Sequence, residues 1–150
     1  MKKKTGVLLT AVLLTATVLS ADAFAQSEES GTLTVQAVGF QNSSGLACVC
    51  VYNNADSFPE KGKAFKKSCG KIKDNKAFFK FKNLPLGDYA VYGFHDEDGN
   101  RSLKTNFVGM PKEAVGVSRG AKGFMGPPKF KNAKFAVAGK KSIRIKIAKL

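Results

Sequence analysis

The chain has 150 residues, with 25 Lys+Arg against 11 Asp+Glu and a formal net charge of +14. That length supports one modest core rather than several domains. A single His rules out a two-His metal centre, and three Cys without a Cys-x-x-Cys pair lack zinc-site spacing.

Met1-Lys2-Lys3-Lys4 is a basic start, Val7 to Leu19 is apolar apart from threonines, and Ala23-Phe24-Ala25 is a small-x-small cleavage signature. Residues 1–25 are therefore expected to be a secretory signal peptide cut after Ala25. The protein would then be exported, to the periplasm or beyond. The apolar run is shorter than the ~20 residues of a spanning helix. No cysteine follows the cleavage site to carry a lipid, and no second apolar run occurs, so no transmembrane span is expected after cleavage. Cleavage removes Lys2, Lys3, Lys4 and Asp22, and the mature chain stays strongly basic.

Gln26 to Gly31 reads as a polar leader, and residues 32–150 as a single β-sandwich domain. Thr32 to Ala37 alternates polar and apolar, the pattern of a half-buried strand. After the Gln41–Gly45 turn cluster, Leu46 to Tyr52 is apolar on both faces and reads as a central strand. Asn53 to Lys63 is a loop. Lys66 to Ile72 is read as a strand turning at Asp74-Asn75 into a second one, Lys76 to Lys82. There Phe79 and Phe81 face one way while Lys80 and Lys82 face the other.

Leu84-Pro85-Leu86-Gly87 is a tight turn into Tyr89 to Phe94, again apolar on both faces. A long stretch without a clear strand then runs to about Lys131. A helical turn at Pro111 to Ala114 fits proline's preference for a first helical position. Ala133 to Ala138 is the next strand, and Ser142 to Ile147 alternates isoleucine with polar or basic residues. The total is about seven short strands at sandwich spacing, with no helical period. The fold class is all-β, an antiparallel sandwich with one long loop after the central strand. Tyr52, Phe79, Phe81, Tyr89 and Phe94 are its expected core aromatics.

Cys48 and Cys50 share one face of their strand by the period of two. Both are open as the partner of Cys69, closing a loop of roughly 20 residues worth about 3 kcal/mol. The odd thiol is then buried or pairs between chains.

Ordered motifs extend over nearly the whole domain. They are Leu84-Pro85-x-Gly87-x-Tyr89-Ala90-Val91 and His95-Asp96-x-Asp98-x-Asn100, then Leu103, Asn106, Gly109, Pro111, Glu113 and Gly116. Gly126-x-Pro128-x-Phe130-x-x-Ala133-x-Phe135 completes the set. On these motifs the chain resembles the bacterial exported family catalogued as domain of unknown function 2141. The resemblance implies an immunoglobulin-like or transthyretin-like β-sandwich and no established activity. Arg101 and Lys104 depart from it, since such proteins tend to carry glycine and an acid around Leu103.

His95 to Asn106 is the candidate site. Asp96, Asp98 and Asn100 fall at alternate positions, as in a calcium loop, and Leu103 falls where such loops carry an apolar anchor. Glu113 is a further ligand candidate from the next turn. Arg101 stands where the sharp turn needs glycine, and Phe107 where the closing bidentate carboxylate belongs. Three acids against two bases between Asp96 and Lys104 leave little charge for a cation. Calcium, if it binds this turn, is expected at about 10⁻⁴–10⁻³ M. The leading expectation is that these carboxylates bond loop amides and pair with Arg101, Lys104 or Arg119.

His95 is expected to be a structural hydrogen-bonder, and no residue is nominated as catalytic. A hydrolase would need a nucleophile beside His95, and no nucleophile-elbow pattern occurs. The expected function is an exported, basic, non-enzymatic envelope module, binding or structural. Its expected partners are anionic envelope components or glycans, without specific nucleic-acid recognition. The alternatives are a weak calcium-dependent module using the Asp96–Asn106 turn and, last, a hydrolase.

Overall fold

The computed structural model describes residues 29–150, and the expected signal peptide, residues 1–25, lies outside them. Eight strands follow in order: β1 (Ser30–Val38), β2 (Leu46–Tyr52), β3 (Lys66–Gly70), β4 (Lys76–Pro85), β5 (Gly87–Asp96), β6 (Val115–Val117), β7 (Phe135–Val137) and β8 (Lys140–Lys146). One 3-10 turn at Ser118–Gly120 and a short helix α1 (Phe130–Ala133) lie between β6 and β7. β1 begins within the stretch read as leader.

The strands form two sheets, ordered β4-β1-β8 and β3-β2-β5-β6, with β7 also pairing with β5. The alternation read from the sequence is the alternation of burial. Leu33, Val35 and Ala37 of β1, Ala77, Phe79 and Phe81 of β4, and Ile145 of β8 all face inward. They meet Ala47, Val49 and Val51 of β2 and Tyr89 and Val91 of β5 to form the main core. Gly93 lets the sheets approach closely there, since a Cβ on it would stand 2.5 Å from Ile145 Cδ1.

β2 and β5 are apolar on both faces because a second layer covers their outer side. Cys48, Cys50, Tyr52, Tyr92 and Phe94 point outward and are buried under Phe58 and Ala133, with Phe130 and Leu103 packed against them. The long loops therefore act as a lid on the five-stranded sheet.

Four expectations are corrected. The sandwich is not wholly antiparallel, because β1 and β8 pair in parallel. Alternation reports which face is buried and carries no strand direction, so chain ends far apart in sequence can pair either way. β6 lies inside the stretch read as strandless; its three residues are too few to establish a period. The strand read over Ala133 to Ala138 is shorter, because α1 occupies its start and β7 covers Phe135–Val137. Pro111 starts no helix; it forms an isolated bridge with Thr105.

Candidate functional site

β5 carries the candidate residues to the end of the sandwich. His95 and Asp96 are its last two residues, 1% and 0% exposed. Gly45, from the turn before β2, lies against this corner, where a Cβ would collide with the Asp96 carbonyl oxygen. On the other side, the His95 amide donates to the Ala114 carbonyl at 2.9 Å, tying the corner to the strand that returns as β6.

Asp96 organises the turn. Its Oδ1 accepts from the Asn100 amide at 3.1 Å and its Oδ2 from the Arg101 amide at 2.7 Å. Holding two successive amides requires a tight reversal, and Gly99 and Arg101 both take positive φ, 71° and 61°. Arg101 thus adopts the left-handed conformation for which glycine is the usual residue. Glu113, also buried, closes the far side. Its Oε1 accepts from the Glu97 amide at 3.0 Å and its Oε2 from the Lys104 amide at 2.9 Å.

Asp98 is exposed. It takes the Asn100 side-chain amide at 2.9 Å and the Lys104 ammonium at 2.5 Å. That ammonium, as hydrogen-bond donor first, holds the Asp98 carboxyl below the ordinary carboxylate range. In return Asp98 raises Lys104 above the ordinary lysine value.

Three of the four ligand candidates converge. One oxygen each from Asp96, Asp98 and Glu113 lies within 4.8 Å of the others. Asn100 is held within the turn: its Oδ1 accepts from the Ser102 amide at 2.7 Å while its NH₂ donates to Asp98. Among the described residues no buried side-chain nitrogen or oxygen lacks a partner. Arg101 takes part through its backbone, and Arg119 reaches the Lys134 carbonyl instead, so of the three cations expected to neutralise the acids only Lys104 pairs with one.

The His95 Nε2–H donates to the Ser44 carbonyl at 2.8 Å, and the ring packs edge-on to Phe40 at 5.3 Å. Because a carbonyl only accepts, the proton sits on Nε2. That nitrogen is engaged with backbone rather than with a hydroxyl nucleophile.

Cys48 pairs with Cys69 across β2 and β3, where the two are direct register partners. Cys50 is free and buried. It lines a cavity of about 150 Å³ with Tyr52, Tyr92, Phe94, Leu103 and Lys67. Burial pushes the Cys50 thiol up against the opposing pull of Lys67, and pushes Tyr92 up to about 12.

A second feature lies on the outer face of the three-stranded sheet. Strand register places Lys76, Phe78 and Lys80 of β4 and Lys140, Ser142, Arg144 and Lys146 of β8 on this face, and exposed Lys82 follows Lys80 by alternation, where the pairing with β1 shifts. Between them run Thr32, Thr34, Gln36 and Val38 of β1. Among the described residues, six cations share this face with no acid. The sequence shows basic alternation within each strand, but not that the two basic strands flank a third.

The fold and this corner define an all-β sandwich with a self-satisfied acidic turn. The family model described as an uncharacterized protein conserved in bacteria matches residues 35–146. The chain belongs to that family, domain of unknown function 2141. No curated protein and no solved structure matches the chain.

Proposed function

We propose that the protein is an exported, non-enzymatic β-sandwich module that binds anionic material of the cell envelope through its basic surface. The observation that carries this reading is the outer face of the three-stranded sheet, with six cations and no acid among the described residues. The salt bridges among the described residues engage Lys63, Lys104, Lys134 and Lys149, none of them on that face. A field of one sign with nothing to cancel it attracts polyanions. The basic start and cleavage signature of residues 1–25 support export. The engagement of His95 with a backbone carbonyl supports a non-enzymatic role.

The test is retention on immobilised anionic and neutral polymers over a salt series. Retention on the anionic matrices that is lost with added salt is the expected result. Retention that ignores salt, or none at all, overturns the reading.

A second reading, a weak calcium corner, is favoured by the convergence of Asp96, Asp98 and Glu113. It ranks lower because Lys104 already places a positive charge on Asp98. Calorimetry decides it: heat and a raised melting temperature at millimolar calcium support the site, and neither sinks it.

A further inference from the structure

We infer that the outer face of the three-stranded sheet binds a single chain of a linear acidic polysaccharide, laid along β1. This rests on the reading just proposed and adds to it a site, an orientation and a ligand class.

The face is built as a trough. β1 is the central strand, with β4 antiparallel on one side and β8 parallel on the other. Lys76, Lys80 and Lys82 form one rail and Lys140, Arg144 and Lys146 the other. The rails stand two strand spacings apart, about 10 Å, and same-face neighbours along a strand repeat at about 7 Å. Both distances are close to the Debye length at physiological ionic strength, about 8 Å, so the six cations act on one extended polyanion together.

The floor between the rails is polar except at Val38, which lies between Lys76 and Lys146. Thr32, Thr34 and Gln36 are half-buried, and Ser142 of β8 adds another hydroxyl. Gln36 stands directly between Phe78 and Arg144. Its Oε1 accepts from Arg144 Nε at 2.9 Å, which fixes the guanidinium and leaves the Gln36 NH₂ to donate. Phe78 is 67% exposed although its strand neighbours Ala77 and Phe79 are buried.

These features together select the class. An acidic sugar chain presents anionic groups for the rails, hydroxyls for the threonine and glutamine floor, and an apolar C–H face for the Phe78 ring. A bilayer surface would use the charges but not a hydrogen-bonding floor recessed between long side chains. A single-stranded nucleic acid is held by successive stacking aromatics, and Phe78 stands alone here.

The test measures affinity by calorimetry for polygalacturonate, uncharged dextran, phosphatidylglycerol vesicles and oligothymidylate. Polygalacturonate is expected to bind best and dextran not at all. Lys80→Glu with Arg144→Glu is expected to weaken polygalacturonate binding at least about tenfold. Lys61→Glu with Lys122→Glu, the same charge change on loops over the other sheet, is expected to weaken it less than about threefold. Phe78→Ala is expected to cost about fivefold for polygalacturonate and nothing for the vesicles. Should the double reversal lower the melting temperature, Lys80→Gln with Lys146→Gln replaces it.

Equal losses in the two charge-reversed pairs overturn this site while leaving the broader anionic-binding reading intact. Tighter binding of vesicles or oligothymidylate than of polygalacturonate overturns the ligand class. Binding of none of the anionic probes overturns both proposals.

Discussion

Asp96 is the residue on which the corner depends. It is 0% exposed, and both its oxygens accept backbone amides. Asp96→Asn keeps the shape but replaces one acceptor with an NH₂ facing an amide. Leaving a buried donor unsatisfied costs about 1–3 kcal/mol. The unfolding free energy in urea should fall by that amount, and an unchanged midpoint would show that the turn does not rely on the carboxylate.

Asp98 and Lys104 behave differently because both are exposed and screened. The Asp98 carboxyl is depressed, so its contribution is present above the ordinary carboxylate value and is lost as pH falls through the lower folded value. Lys104 is raised, so its contribution is present below the ordinary lysine value and lost as pH climbs through the higher folded one. NMR titration of the Asp98 carboxyl should show the depression, and Lys104→Gln should move it back toward the ordinary value. A carboxyl that titrates identically in both proteins would remove Lys104 as the cause.

How much of this corner was legible follows from those residues. The alternate acids and the misfit of Arg101 and Phe107 with a calcium loop can be read from spacing alone. That Glu113 reaches back to two amides across the loop cannot, because it depends on where β6 returns beside β5.

At the scale of elements, the disulfide illustrates the same limit. Cys48 and Cys50 share a face of β2, and the period of two cannot choose between them. The register chooses: Cys48 lies opposite Cys69 and Cys50 opposite Lys67. β3 is an edge strand of five residues, held to the molecule largely through β2. The closed loop spans a sequence separation of 21, for which the loop-entropy estimate is about 3 kcal/mol. Cys48→Ala with Cys69→Ala should lower the urea-derived stability by about that much. Because that estimate acts through the unfolded chain, the slowest amides of central β1, which exchange only by global unfolding, should lose protection by the same amount. Faster exchange confined to β3, with β1 unchanged, would mean that the crosslink only pins the edge strand.

At the scale of the molecule, two opposed electrostatic effects decide how salt acts on stability. The four salt bridges among the described residues all join partly exposed side chains. Such pairs contribute about 0–1 kcal/mol each, and salt weakens them. Against them stands the outer face of the three-stranded sheet, with six cations within an area a few Debye lengths across. Folding aligns β4, β1 and β8 and brings two basic rows together that are separate in the unfolded chain. Repulsion between those rows is therefore a cost of the native state, and salt relieves it. The unpaired like charges outnumber the paired ones, so the repulsive effect should win. Raising sodium chloride from low to physiological strength should raise the melting temperature by about 3 °C. Lys80→Gln with Lys146→Gln should remove much of that dependence, since the charges responsible lie on opposite rows. A melting temperature that falls with salt would mean that the surface pairs outweigh the repulsion, and that the basic face is not a strained assembly of charge.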